Sequence, residues 1–218
     1  MKIYRTPSII KTLFPGLIWD LRNNRRNIYL TFDDGPTPGV TEYVLDILEK
    51  FSAKATFFCV GRNVESNPLI FNQIQEQGHT IGNHTYDHLN GWGTTVTTYL
   101  ESIRSCEEVF IKNGYNPRIK YFRPPYGRMK LSQIKRIKRE YKIIMWDLLS
   151  LDFSLKQSPE ACLDITRRYS RPGSIIVFHD SFKTINKIKF AFERLLIFLK
   201  ERDFHFCSLA EYFTKEVC

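Results

Sequence analysis

A chain of 218 residues fits one domain with a sizeable core. Its 43% hydrophobic, 25% charged and 14% aromatic residues exclude repeat, collagen-like and disordered classes. Subtracting 23 acidic from 32 basic residues leaves +9, which favours an anionic partner, whether nucleic acid, an acidic membrane face or an acidic polymer.

Residues 1–26 read as an N-terminal extension that packs on the domain formed by 27–218. Lys2, Arg5 and Lys11 precede or interrupt the apolar residues Ile9, Ile10, Leu13, Phe14, Leu17 and Trp19, and Pro15-Gly16 breaks them again. That is no standard signal-peptide core, so no export signal is expected, and no later run reaches the roughly 18 apolar residues of a membrane span. The default expectation is a cytoplasmic or membrane-peripheral protein. Five cysteines, Cys59, Cys106, Cys162, Cys207 and Cys218, stand in no CxxC spacing, so no disulfide framework or thiolate zinc site is expected and most should be reduced.

Asn27 to Phe32 reads as a buried strand opening into Asp33-Asp34-Gly35-Pro36. Val40, Val44, Ile47, Leu48 and Phe51 then share one helical face. Further strands are predicted at Ala55 to Val60, Thr80-Ile81, Ile119 to Phe122, Tyr141 to Trp146 and Ser174 to Phe178. Helices are predicted near Pro68 to Gln77, Thr95 to Lys112, Leu131 to Arg139, Pro159 to Tyr169 and Ile185 to Leu199, the second of these turning Val96, Tyr99, Ile103, Cys106 and Phe110 inward. Continuous apolar strands alternating with helices argue for an α/β fold with a parallel sheet, and about seven units favour a barrel smaller than the usual eightfold one.

Polar residues collect at the predicted strand ends: Asp33 and Asp34, His84 and His88, Arg123, Asp152, and His179-Asp180. A parallel barrel brings those ends to one face. Two imidazoles and a carboxylate suit a catalytic zinc ion, with His84 and His88 spaced for one side of a helical turn and the carboxylate coming from Asp33 or Asp34. The other aspartate would handle the proton of a water, Arg123 would orient it, and His179, backed by Asp152, would be the general acid. Taken singly, these pieces also read as a turn, a solvated helix face and surface ion pairs; His79 and His205 read as structural.

Together the segments resemble the NodB-homology polysaccharide deacetylases, carbohydrate esterase family 4. Thr31-Phe32-Asp33-Asp34-Gly35-Pro36, His84-Thr85-Tyr86-Asp87-His88 and Arg123-Pro124-Pro125-Tyr126-Gly127 match the first three motifs in order. The resemblance spans about Asn27 to Tyr212 and implies a distorted, incomplete (β/α) barrel. It also implies one divalent metal, zinc first and cobalt, nickel or manganese as substitutes, held by Asp34, His84 and His88. Asp33 would be the base tethered by Arg123, His179 the acid, and the backbone N–H of Tyr126 an oxyanion donor. The reaction would remove N-acetyl or O-acetyl groups from an acetylated glycan.

Trp146, Pro125, Tyr126, Phe153 and Val177 are expected around the substrate. Phe153 stands where the family commonly has Trp, and Val177 where it has Leu, a difference of about 1 kcal/mol of contact at most. A glycan-binding module without catalysis is the alternative. The basic run Lys130, Lys135, Arg136, Lys138, Arg139 and Lys142 reads as a solvated helix face, with no nucleic-acid partner expected. A monomer is expected, with +9 suited to anionic glycans or to peripheral contact with an anionic membrane.

Overall fold

The computed structural model describes residues 4–21 and 25–214, so Lys2 and Cys218 lie outside the described residues. Strands form where β-branched and aromatic residues run together: β1 (Asn27–Asp33), β2 (Ala55–Cys59), β3 (Thr80–Asn83), β4 (Lys120–Phe122), β5 (Tyr141–Ile143), β6 (Leu148–Leu149) and β7 (Ile175–His179). These seven pair in parallel in the order β5-β4-β3-β2-β1-β7-β6, and a short β8 (His205–Phe206) adds to β1. β1, β2 and β3 are buried along their whole length, as strands covered on both faces must be. β5 and β6 end the path without pairing with each other, so the α/β sheet is a curled, incomplete barrel, as expected.

The helices are α1 (Ser8–Leu13), α2 (Thr41–Lys50), α3 (Gly61–Ser66), α4 (Pro68–Glu76), α5 (Val96–Lys112), α6 (Leu131–Ile137), α7 (Pro159–Tyr169), α8 (Ile185–Lys200) and α9 (Leu209–Thr214). Sequence periodicity missed α1, α3, α9, β6 and β8, which are too short to show a period. In α5, Tyr99, Ile103, Cys106 and Phe110 are buried as predicted, while Val96 in its first turn is only half-buried. In α6 the cations point outward and Gln133 and Ile137 are buried.

The predicted strand Tyr141 to Trp146 stops at Ile143 because the chain there leaves β4 and crosses toward β7. The N-terminal segment fills the opening this creates. Ile18 N–H donates to Ile143 O at 2.9 Å, Met145 N–H to Ile18 O at 2.7 Å, and Leu21 N–H to Gly173 O at 2.8 Å. Asp147, fully buried at the crossing, receives Lys11 at 2.6 Å, Arg171 at 2.7 Å and Arg5 at 3.3 Å. A carboxylate there needs those cations, since an unpaired buried charge is strongly destabilising.

Beneath the C-terminal strand ends, Phe32 stacks on Phe57 and Phe178 at 5.1 and 5.9 Å and meets Phe192 edge-on at 5.2 Å. Cys59, Cys106 and Cys162 are free and buried, and Cys207 is disulfide-bonded. Among the described residues no helix is long and apolar enough to cross a membrane.

His79, structural as expected, is buried and accepts the Ala55 N–H at Nδ1, 3.3 Å away. Burial, reinforced by Lys54, lowers its imidazole from 6.5 to about 4. A depressed histidine contributes stability fully above the unfolded value and loses it as pH falls toward the folded one. Between pH 7.5 and pH 5 the wild type should lose about 2 kcal/mol more than His79→Gln in urea unfolding; equal losses would remove His79 as the cause.

Candidate active site

Sheet register assembles the site. Asp33 at the end of β1 pairs with His179 at the end of β7, and Asn83 at the end of β3 pairs with Phe122 at the end of β4. The residues that follow, Asp34, His84 and Arg123, therefore emerge on one face, where parallel barrels carry their functional groups.

Arg123 is fully buried. Its Nη1 donates to Asp33 Oδ1 and to Thr31 Oγ1, both at 2.7 Å, and its Nη2 to Met145 O at 2.8 Å. Nε donates to Ile144 O at 3.3 Å, and the guanidinium lies 4.1 Å over the Phe58 ring. Burial lowers the Arg123 pKa, and the Asp33 carboxylate beside it opposes that. Asp33 is thus clamped through one oxygen in a nearly dry position.

Asp34, His84 and His88 each present one donor atom within 4.8 Å of the others. His84 Nδ1 lies 2.8 Å from Arg123 O, which can only accept, so the proton sits on Nδ1 and the Nε2 lone pair faces Asp34 Oδ1 at 3.8 Å. His88 Nε2 lies 3.2 Å from the same oxygen, while its Nδ1 meets the Tyr126 hydroxyl at 3.2 Å. Burial lowers His84 to about 4 against the opposing charges of Asp33 and Asp34, keeping it neutral. For Asp34 burial would raise the carboxyl, but His88, His179 and His84 together hold it well below the usual range. Lone pairs converging on a carboxylate, with the outer nitrogen of His84 fixed by a carbonyl, fit a divalent cation.

The helical reading of the histidine pair is corrected here. Residues 84–90 form a loop, with Thr85 and His88 at φ 63° and 55°. The loop wins because side chains take its amides: Asn83 Oδ1 accepts Thr85 N–H at 2.9 Å, Ser102 Oγ accepts Tyr86 N–H at 3.0 Å, and Thr85 Oγ1 accepts Leu89 N–H at 3.0 Å.

His179 Nδ1 and backbone N–H both reach Asp152, at 2.9 and 2.7 Å. Burial would lower this imidazole, but Asp152, with Asp33 and Asp34 behind it, raises it to about 9. Phe153 stands edge-on to His179 at 5.0 Å and is half-exposed. Together with Val177, Trp146 and Tyr126 it lines a cleft of about 520 Å³ over Asp33, Asp34, His84, His88 and His179. Trp146 reaches this wall because position 127 is glycine: a Cβ there would lie 2.4 Å from Cη2, and φ is 64°. Pro125 is buried, and Pro124 borders the cleft in its stead.

Asp180 had no role in the sequence reading beyond its place after His179. Fully buried, it accepts Gly35 N–H at 3.0 Å and the Thr41 hydroxyl at 2.6 Å, fixing the loop that carries Asp34. Burial, with the Asp34 charge adding to it, raises its carboxyl to about 8. A Cβ at Gly35 would sit 2.0 Å from Asp180 Oδ2, so only glycine lets the loop approach so closely. Arg128, Leu149, Ser181, Lys183 and Thr184 also line the cleft, with no pattern in the sequence to announce them.

Comparison with known proteins agrees with this arrangement. A family model described as polysaccharide deacetylase matches residues 20–143. A peptidoglycan-N-acetylglucosamine deacetylase of Bacillus cereus is 31% identical over 202 residues, covering 88% of this chain and 91% of that protein. A chitooligosaccharide deacetylase of Azorhizobium caulinodans is 37% identical over 165 residues, covering 73% and 76%. A solved peptidoglycan N-acetylglucosamine deacetylase, in complex with 4-naphthalen-1-yl-N-oxidanyl-benzamide, superposes with TM-score 0.87 at 30% identity, covering 96% of this chain and 97% of that one. A Bacillus anthracis pseudoenzyme of the same fold gives 0.77 at 25% identity, over 89% and 68%. Motif order, sheet topology and the match across more than half the chain agree: this protein belongs to the polysaccharide deacetylase family, carbohydrate esterase family 4.

Proposed function

We propose that the protein hydrolyses the acetyl group of N-acetylglucosamine residues in a peptidoglycan or chitooligosaccharide type of glycan, using one divalent metal, zinc by preference. What carries the reading is the convergence of Asp34, His84 and His88 between a clamped carboxylate, Asp33, and a carboxylate-backed imidazole, His179. The relatives named above act on such glycans according to their names.

Asp34 Oδ1 and the Nε2 atoms of His84 and His88 would hold the metal. When bound, that ion polarises the acetyl carbonyl and makes water more acidic. Arg123 occupies Asp33 Oδ1, leaving Oδ2 to accept the proton of the water that attacks the carbonyl carbon. The Tyr126 backbone N–H is the donor assigned to the developing oxyanion. Asp152 takes the His179 Nδ1 proton in a hydrogen bond, so Nε2 delivers a proton to the amine as the C–N bond breaks. Acetate and a free amine are the products.

Chelator-treated protein should release no acetate from chitooligosaccharides or peptidoglycan fragments, and zinc or cobalt should restore release. Glycan binding without acetate release under any metal would select instead the non-catalytic module, the state that the name of the Bacillus anthracis pseudoenzyme describes.

A further inference from the structure

Beside the catalytic cleft lies a second cavity, of about 410 Å³, between the N-terminal segment and α6. It shares Tyr126, Gly127, Trp146 and Leu149 with the cleft, so the two adjoin along these residues. Ile10, Phe14, Leu17, Met129, Ile134 and Met145 make its wall apolar. Another pocket at Asp34 and His88 carries the polar residues Arg62, Asn63 and Asp87.

Apart from the Trp146 indole, the polar side chains of the apolar cavity are already engaged within the protein. Thr6 donates to Trp146 O at 2.7 Å, and Arg5 reaches Asp147 at 3.3 Å. The indoles of Trp19 and Trp92 donate to Phe14 O at 3.2 Å and Met129 O at 3.1 Å, and the Tyr126 hydroxyl meets His88. A sugar ring placed there would leave most of its hydroxyl groups without partners, which is costly, whereas a hydrocarbon leaves none.

We propose that this cavity receives a hydrocarbon chain carried by the acetylated sugar, so that the substrate is an amphiphilic glycoside whose acetyl group lies in the cleft. The inference rests on the deacetylase reading above. Its size suits a small-molecule site, and its position beside the cleft lets sugar and chain belong to one molecule.

All three tryptophans of the chain, Trp19, Trp92 and Trp146, line this cavity, so intrinsic fluorescence reports its filling without reference to turnover. Zinc-loaded protein is titrated with octyl N-acetyl-β-glucosaminide, below its micelle-forming concentration, and with the methyl congener. The octyl compound should shift the emission with a Kd at least about tenfold lower than the methyl one. Ile134→Phe, which fills the cavity from α6, and Ile10→Asp, which puts a charge in its wall from α1, should each bring the two Kd values together, with melting curves checking that each variant is folded.

Equal responses to the two glycosides, or an octyl preference that survives in both variants, would overturn the proposal. Acetate release is measured in parallel. Release from the methyl glycoside with no octyl advantage in Kd would overturn the cavity assignment alone. An octyl-dependent shift with no acetate released from any glycan would overturn the deacetylase reading and leave the hydrocarbon site standing.

Discussion

Asp33→Asn should lower acetate release about a hundredfold or more while the protein still binds its metal. The amide keeps the size of the carboxylate and can still accept from Arg123 through its oxygen, so the clamp at 2.7 Å has no reason to open. What disappears is the lone pair able to take a proton from water. Metal content, measured by atomic absorption, should match the wild type because the converging donors belong to Asp34, His84 and His88. A loss smaller than about tenfold at unchanged metal content would take the base role from Asp33. The neighbouring change, Asp34→Asn, provides the contrast: there metal content should fall together with activity.

Arg123→Met should cost about 3–5 kcal/mol of stability, read by urea unfolding, because it leaves the Asp33 carboxylate buried without its cation. The side chain it removes is fully buried and bonded to four acceptors, on Thr31, Asp33, Ile144 and Met145. Arg123→Lys should recover little of the loss, since one ammonium cannot reach acceptors arranged around a planar fork. A cost below about 1 kcal/mol for Arg123→Met would mean that water or a neighbouring group compensates the carboxylate, and that Arg123 is not what holds Asp33 in place.

Much of this site is legible along the chain because its residues follow strands. Asp33-Asp34 and His179 stand directly after runs of apolar β-formers, and a parallel sheet converts that local position into a shared face. The Asp33–Arg123 pair, implied by the resemblance, and the His179–Asp152 pair, expected from the strand-end residues, are both present at hydrogen-bond distance. The conformation of the histidine segment was not legible. An i, i+4 spacing is compatible with a helix, and the loop prevails through bonds to Asn83 and to Ser102, the latter on a different element. Asp180 was equally silent, for its partners Gly35 and Thr41 stand 145 and 139 residues away.

What the amino-acid order alone determined is the inventory: alternating apolar strands and helices, and the carboxylates and imidazoles at the strand ends. Those signals survive in sequence because hydrophobic period and strand-end position are local properties of the chain. Tertiary structure alone decided how the barrel's open side is filled and what lies beside the cleft. The three cations on Asp147 come from residues 142, 136 and 24 positions away, and the apolar cavity has walls from both the N-terminal segment and α6. Burying Asp147 is tolerable only when those distant cations arrive together, so the N-terminal segment that brings two of them is held across the gap, and the cavity exists only in the folded chain.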